Sequence, residues 1–175
     1  RFSPQGNQMS KTTENLKEAF AGESQANRKY LAFAQKAQQD GYEQVAKLFR
    51  AAAEAETIHA HAHLRVLKGV KTTEENLREA ISGENYEHTS MYPGFIEEAQ
   101  REGNKDAVRS FTFANEVEKV HEELYKAALR AIAGKKDLPA KKLYICPVCG
   151  NIEEDQPPER CAVCGAPGRS FREAI

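Results

Sequence analysis

Residues 15–23 read NLKEAFAGE and residues 76–84 read NLREAISGE, one nine-residue phrase recurring at an offset of 61. Working outward, Thr12/Thr13-Glu14 is an N-cap signature with acid in the first turn. Leu16, Ala19, Phe20, Glu23, Tyr30 and Phe33-Ala34 then recur with helical spacing up to Asp40-Gly41, where glycine supplies a left-handed stop. A second helix is predicted from about Tyr42 to Leu67, ending at Lys68-Gly69. A third runs from Thr72-Thr73-Glu74-Glu75 to Glu102-Gly103, with Pro93 predicting a local kink or π-bulge. A fourth spans about Lys105 to Ala133 and is closed by Gly134. Gly41, Phe49, Glu56 and His59 have counterparts in Gly103, Phe111, Glu118 and His121 at an offset of 62, so one helix pair is duplicated. Four helices, each about 40 Å long at 1.5 Å per residue, make a four-helix bundle the economical arrangement.

The chain has 175 residues, with 25 Lys+Arg against 26 Asp+Glu. A net charge of −1 offers no electrostatic argument for nucleic acid or an anionic membrane, and no apolar run approaches the ~18 residues of a membrane span. The first Met is Met9, and residues 1–8 (RFSPQGNQ) are expected to be an expression scar or a disordered tail. No basic-then-apolar leader precedes the first helix, and the expected compartment is the cytoplasm. The resulting division is a tail over 1–10, a helical bundle over 11–134, a polar linker over 135–142 and a Pro/Gly/Cys-rich unit over 143–175.

In Glu56-Thr57-Ile58-His59 and Glu118-Lys119-Val120-His121, acid and imidazole stand at i and i+3, on one helix face. Folding each pair antiparallel brings Glu23 level with Glu56 and Glu84 level with Glu118. Two lone Glu plus two Glu-x-x-His motifs is the ligand recipe of di-iron carboxylate bundles. Carboxylates bridge two ions and neutralise their charge, and one neutral imidazole per ion completes a hard O/N site. A single such motif is ordinarily a solvated pair; two at repeat-equivalent positions are not. Glu87 breaks the repeat, its counterpart being Ala26. It lies at i+3 from Glu84, and spacing alone leaves it either a seventh ligand or a surface acid. His61, His63 and His88 are read as surface residues.

All four cysteines fall in the last 30 residues, as Cys146-Pro147-Val148-Cys149-Gly150 and Cys161-Ala162-Val163-Cys164-Gly165. Two CxxC knuckles at this separation signal a tetrathiolate metal site, not a disulfide framework. The pattern does not separate structural zinc from redox-active iron.

The stretches AFAGESQANRKY, AEAETIHA, SGENYEHTSMYPGF and VEKVHEELY, followed by YICPVCG and CAVCGAP, resemble the rubrerythrin family in the family's own order. The resemblance implies a ferritin-like four-helix bundle with a non-haem di-iron centre, joined to a small rubredoxin-like Fe(Cys)4 domain. It implies a peroxidase that reduces hydrogen peroxide to water with electrons relayed from NAD(P)H through a reductase, often with rubredoxin. It gives Glu23, Glu56, His59, Glu84, Glu87, Glu118 and His121 as di-iron ligands, Glu56 and Glu118 bridging. Glu87 matches the carboxylate that takes part with His59 in a redox-dependent ligand exchange. Tyr30 and Tyr92 match tyrosines that hydrogen-bond the carboxylates, and Cys146, Cys149, Cys161 and Cys164 match the mononuclear iron ligands. Ala162 is a departure, standing where the second knuckle often has Pro.

Only about six residues, Lys68 to Thr73, join the second and third helices, a reach of ~20 Å. That cannot run the length of a ~40 Å helix. Either the bundle is plainly up-down-up-down or two chains exchange helix pairs, and shorter rubrerythrins favour the domain-swapped homodimer. Two other functions compete: a ferroxidase or iron-storage protein, and a non-enzymatic metal-binding module whose tail is a zinc ribbon.

Overall fold

The computed structural model describes residues 10–174. The expectation for residues 1–8 lies outside this range. Two compact units divide the chain between Lys71 and Thr72.

The first unit is a helical hairpin of α1 (Lys11–Gln39) and α2 (Glu43–Val66). Its N-cap is Ser10, not Thr12 or Thr13. Ser10 is extended, at φ −64° and ψ 147°, and its Oγ accepts the Thr13 amide at 3.2 Å, so both threonines already lie in the first turn. Residue 10 therefore belongs with the helix and not with a tail. Gly41, at φ +84°, makes the left-handed stop. The seam is lined by small residues: Ala34, Ala37, Ala46, Ala53 and Ala60 are all buried. Asn27 is buried among them and donates to the Ala53 carbonyl at 2.7 Å and the Thr57 hydroxyl at 2.8 Å.

The second unit repeats the hairpin with a difference. Thr72 and Glu75 form a reciprocal capping box for α3 (Thr73–Tyr86). The long third helix of the sequence reading is interrupted. A π-helical turn (Glu87–Met91) follows α3, and α4 (Tyr92–Arg101) begins with Pro93 in its first turn, where the missing N–H costs nothing. From Asn15 to Gly41 there are 27 residues, and from Asn76 to Gly103 there are 28. The offset of 61 before this segment and 62 after it is one inserted residue, and the π-turn is the wide helical turn that absorbs it. Beyond it the register is restored. Tyr30 and Phe33 sit 6.1 and 5.6 Å from Phe49, ring centre to centre, and Tyr92 and Phe95 sit 6.2 and 5.6 Å from Phe111.

After Gly103 (φ +71°), α5 (Lys105–Ala133) returns along α3 and α4 with Asn104 as its cap. At its end Gly134 has φ −80°, and the left-handed residue is Lys135 at φ +54°. The tail is a three-stranded antiparallel sheet in the order β2-β1-β3, with β1 (Leu143–Ile145), β2 (Ile152–Glu154) and β3 (Arg172–Glu173). Tyr144 lies opposite Glu153 on one side and Glu173 on the other. Val117, 1% exposed, packs α5 beneath the first knuckle: a Cβ on Gly150 would meet its Cγ1 at 3.9 Å.

Candidate metal centres

Each helical hairpin brings two carboxylates and one imidazole together. Ligand-type atoms of Glu23, Glu56 and His59 lie within 4.8 Å of one another in the first unit, and those of Glu84, Glu118 and His121 do so in the second. The i, i+3 spacing turns His59 Nδ1 onto Glu56 Oε2 at 2.9 Å, and His121 Nδ1 onto Glu118 Oε2 at 2.7 Å and Glu84 Oε2 at 3.9 Å. In both groups Nδ1 faces the carboxylates. His121 Nε2 faces the carbonyl oxygen of Gly150 at 3.4 Å, which orients the ring from behind. The groups differ in exposure, the His59 side chain being 56% accessible and that of His121 22%.

Electrostatics fit the second group to a cation. Burial, followed by a proton shared with Glu118 and the Glu118 charge, pushes Glu84 up to about 7. Two acids this close compete for one proton, whereas a divalent ion would satisfy both and suits the O/N donors. Glu87 does not join the three-residue group, but its carboxyl is raised by burial and by the Glu84 charge, with His121 opposing. Tyr92 is likewise raised by burial and then by the charges of Glu87, Glu118 and Glu84, so its phenol stays protonated beside them. Tyr30 packs on Phe33 and Phe49 in the first unit.

The four cysteines form a third group within 4.8 Å, with Cys146 and Cys164 Sγ 3.6 Å apart and Cys149 and Cys161 Sγ 3.5 Å apart. The two knuckles are backbone copies of each other. Gly150 and Gly165 amides donate to the Cys146 and Cys161 carbonyls at 2.9 Å, and the cysteine amides donate to Asn151 and Ala166 carbonyls at 2.8 Å. Gly150 and Gly165, at φ +87° and +74°, reach a conformation that costs side-chain-bearing residues strain. Burial pushes the Cys149 and Cys164 thiols up. At Cys146 burial acts the same way, but N–H groups of Cys149 and Val148 outweigh it and hold the thiol below its usual value. Four sulfurs at this spacing suit a tetrahedral metal.

Two features escaped the sequence reading. His88, expected on the surface, is largely buried and pairs through Nε2 with Glu122 Oε2 at 2.5 Å. Glu122, only 5% exposed, also accepts from Asn85 and Lys126. His88 faces α5 just as its counterpart Asn27, buried on the regular helix α1, faces α2. The available signal was a one-sided charge: the repeat counterparts of His88 and Glu122 are Asn27 and Ala60. His61 is exposed and His63 partly buried.

Comparison with known proteins agrees with this layout. Residues 14–129 match the rubrerythrin family and residues 144–172 match its rubredoxin-like domain. Nigerythrin of Nitratidesulfovibrio vulgaris (strain Hildenborough) is 41% identical over 174 residues, covering 91% of this chain and 85% of that protein. Rubrerythrin-2 of Clostridium acetobutylicum is 36% identical over 175 residues, covering 92% of this chain and 95% of that protein. The fully reduced, all-ferrous structure of nigerythrin superposes with a TM-score of 0.56 at 37% identity, over 98% of this chain and 91% of that one. With family matches across the helical units and the cysteine tail alike, the chain belongs to the rubrerythrin family.

Proposed function

We propose that the chain is a peroxidase that reduces hydrogen peroxide to water in oxidative-stress defence. The family carries a carboxylate-bridged di-iron centre and a four-cysteine iron centre, and this chain holds donor groups for both. Glu23, Glu56 and His59, with Glu84, Glu118 and His121, would hold the iron pair, each imidazole offering Nδ1. Glu87 would be the seventh ligand, and Cys146, Cys149, Cys161 and Cys164 would hold the mononuclear iron. When bound, the di-iron pair would supply the two electrons for O–O cleavage, and the tetrathiolate iron one-electron chemistry. Overall, one peroxide takes up two electrons and two protons and yields two waters. The protonated Tyr92 phenol offers a hydrogen-bond donor beside Glu84, Glu87 and Glu118.

The observation that carries this reading is the company the two carboxylate–imidazole groups keep. A tetrathiolate group stands on the same chain, and the carbonyl of its knuckle residue Gly150 lies 3.4 Å from His121 Nε2. Storage of iron has no need of a one-electron relay at that position. The donor would be rubredoxin or an NAD(P)H-dependent reductase. The connection between α2 and α3 is six residues, 67–72, and reaches ~20 Å against the roughly 36 Å of α2. That reach is compatible with a plain up-down-up-down bundle or with two chains exchanging helix pairs. The resemblance to shorter rubrerythrins favours the exchanged homodimer, and a solution mass of one chain would refute it. For the activity, the iron-loaded, dithionite-reduced protein is mixed anaerobically with peroxide or with dioxygen in a stopped-flow spectrometer. Reoxidation much faster by peroxide is expected; equal or faster reoxidation by dioxygen would overturn the assignment.

A further inference from the structure

The buried Glu122 carboxylate is a cross-brace with both oxygens engaged. Oε1 accepts from Asn85 Nδ2 at 3.2 Å and Lys126 Nζ at 2.9 Å, while Oε2 meets His88 Nε2 at 2.5 Å. Three of these residues directly follow donor residues of the metal group: Asn85 follows Glu84, His88 follows Glu87 and Glu122 follows His121. The network thus ties α3, the π-turn and α5 together just behind the carboxylates and the imidazole.

The other hairpin shows what a regular helix does without such a brace. There Asn27, the counterpart of His88, donates to the Ala53 carbonyl and Thr57, and Ser24, the counterpart of Asn85, turns back to the Phe20 carbonyl at 2.6 Å. Ala60 stands where Glu122 would be, and Ala26 where Glu87 would be. The inserted residue, the additional carboxylate and the buried ion pair therefore all belong to one half of the repeat. An ion pair in this setting is a weak source of net stability, because desolvation offsets much of the attraction, and its best-attested use is to fix a register. A π-turn is the kind of segment that needs fixing, since its backbone hydrogen bonds are wider spaced than those of the helix on either side.

We propose that Glu122 is a positioning residue that, through His88 and Asn85, fixes the π-turn so that Glu87 is held at the reach from which it serves the metal. This rests on the assignment of Glu87 as a ligand. The test is a cobalt(II) titration of the metal-depleted full-length chain, followed by absorption. Weak d–d bands report the carboxylate–imidazole sites, and intense thiolate-to-cobalt bands report the cysteine site as an internal control. Glu87→Gln alone examines the ligand assignment: unchanged cobalt affinity would remove that assignment and the proposal with it. Glu122→Gln should weaken the carboxylate-site affinity by about 10–100-fold, as loss of a ligand-orienting partner does, with the thiolate bands unchanged. In the Glu87→Gln background the same substitution should change affinity by less than about threefold, because the two residues act as one unit. Equal losses in both backgrounds, or no loss in the wild-type background, would overturn the proposal. His88→Asn installs the residue that α1 already buries at the matching position, and it carries the same cycle if Glu122→Gln does not fold.

Discussion

Removing Ser90 tests whether the π-turn is the seat of the inserted residue. Ser90 is exposed and lies within the Glu87–Met91 turn, which closes with the Tyr92 amide pointing at the Glu87 carbonyl five residues back. Its deletion returns the Asn76–Gly103 segment to the 27 residues of Asn15–Gly41. If the turn alone holds the extra residue, α3 and α4 join into a regular helix like α1 and both keep their partners on α5. Pro93 would then stand inside a continuous helix, where the lost hydrogen bond and the clash with a carbonyl one turn back cost about 3 kcal/mol. For a chain of this size that lowers Tm by about 6–12 °C. Replacing Pro93 by leucine, the residue at the matching Leu31, should bring the deletion variant back to within about 1 kcal/mol of wild type, since leucine is a good helix former. If the insertion is spread along the helix instead, everything beyond position 90 is displaced by one residue, about 100° and 1.5 Å. Phe95 would leave Phe111, and Ala99, 4% exposed, would leave the core. Thermal unfolding of the metal-depleted chain by circular dichroism at 222 nm decides. A deletion with Pro93→Leu that still melts far below wild type, or that loses helix signal, refutes the account.

Three further outcomes follow from the geometry. Gly150→Ala and Gly165→Ala should each cost about 1–2 kcal/mol through backbone strain alone, because neither added Cβ meets anything closer than 3.9 Å; faster release of the cysteine-bound metal to a chromogenic chelator, similar for both, is the measurement. Asn27→Ala strips the buried donor from the Ala53 carbonyl and Thr57 and should destabilise the chain by about 1–3 kcal/mol in urea unfolding, whereas a loss under 0.5 kcal/mol would show the bonds to be dispensable, a threshold about half the usual net worth of one hydrogen bond. Hydrogen bonds from His88, then Lys126, and to a smaller extent Asn85, hold the Glu122 carboxyl at about 2, below its ordinary 4.5. A lowered value gives stability that is full above 4.5 and drains away as pH falls toward 2. Glu122→Gln should therefore cost the metal-depleted chain more at pH 6 than at pH 2.5, and a gap that widens on acidification would contradict the pairing.

Much of the helical layout was legible because it is carried by period and punctuation. Alanine-rich seams, Gly41 and Gly103 as stops, and the Thr72–Glu75 box are local signals, and local physics decides them. Glu56/His59 and Glu118/His121 were legible for the same reason: an i, i+3 pair shares a helix face whatever surrounds it. Ser10 was missed because two threonines further on make an equally good cap on paper, and only backbone angles separate them. His88 was misread because the partner that holds it inward, Glu122, lies on another helix 34 residues away, beyond the reach of local spacing. The inward position is common to both halves of the repeat, since Asn27 on the regular helix α1 is buried against α2 as well.

The two offsets in the repeat held that information in compressed form. A duplicated helix pair predicts a symmetric pair of metal-binding groups, with two carboxylates and one imidazole each, and both hairpins present that set. The additional carboxylate is not matched in the other half, where position 26 on a regular helix carries alanine. Insertion of one residue changes the geometry without changing either end, since Glu84 before it and Tyr92 after it keep their places against α5. The cost is a turn with weaker internal hold, and Glu122 answers it from the opposite helix, where its counterpart had needed only Ala60. Asymmetry in the metal environment is therefore written into the backbone before any metal binds. A π-turn braced by a buried carboxylate is a means of building a difference between two carboxylate–imidazole groups into a duplicated fold.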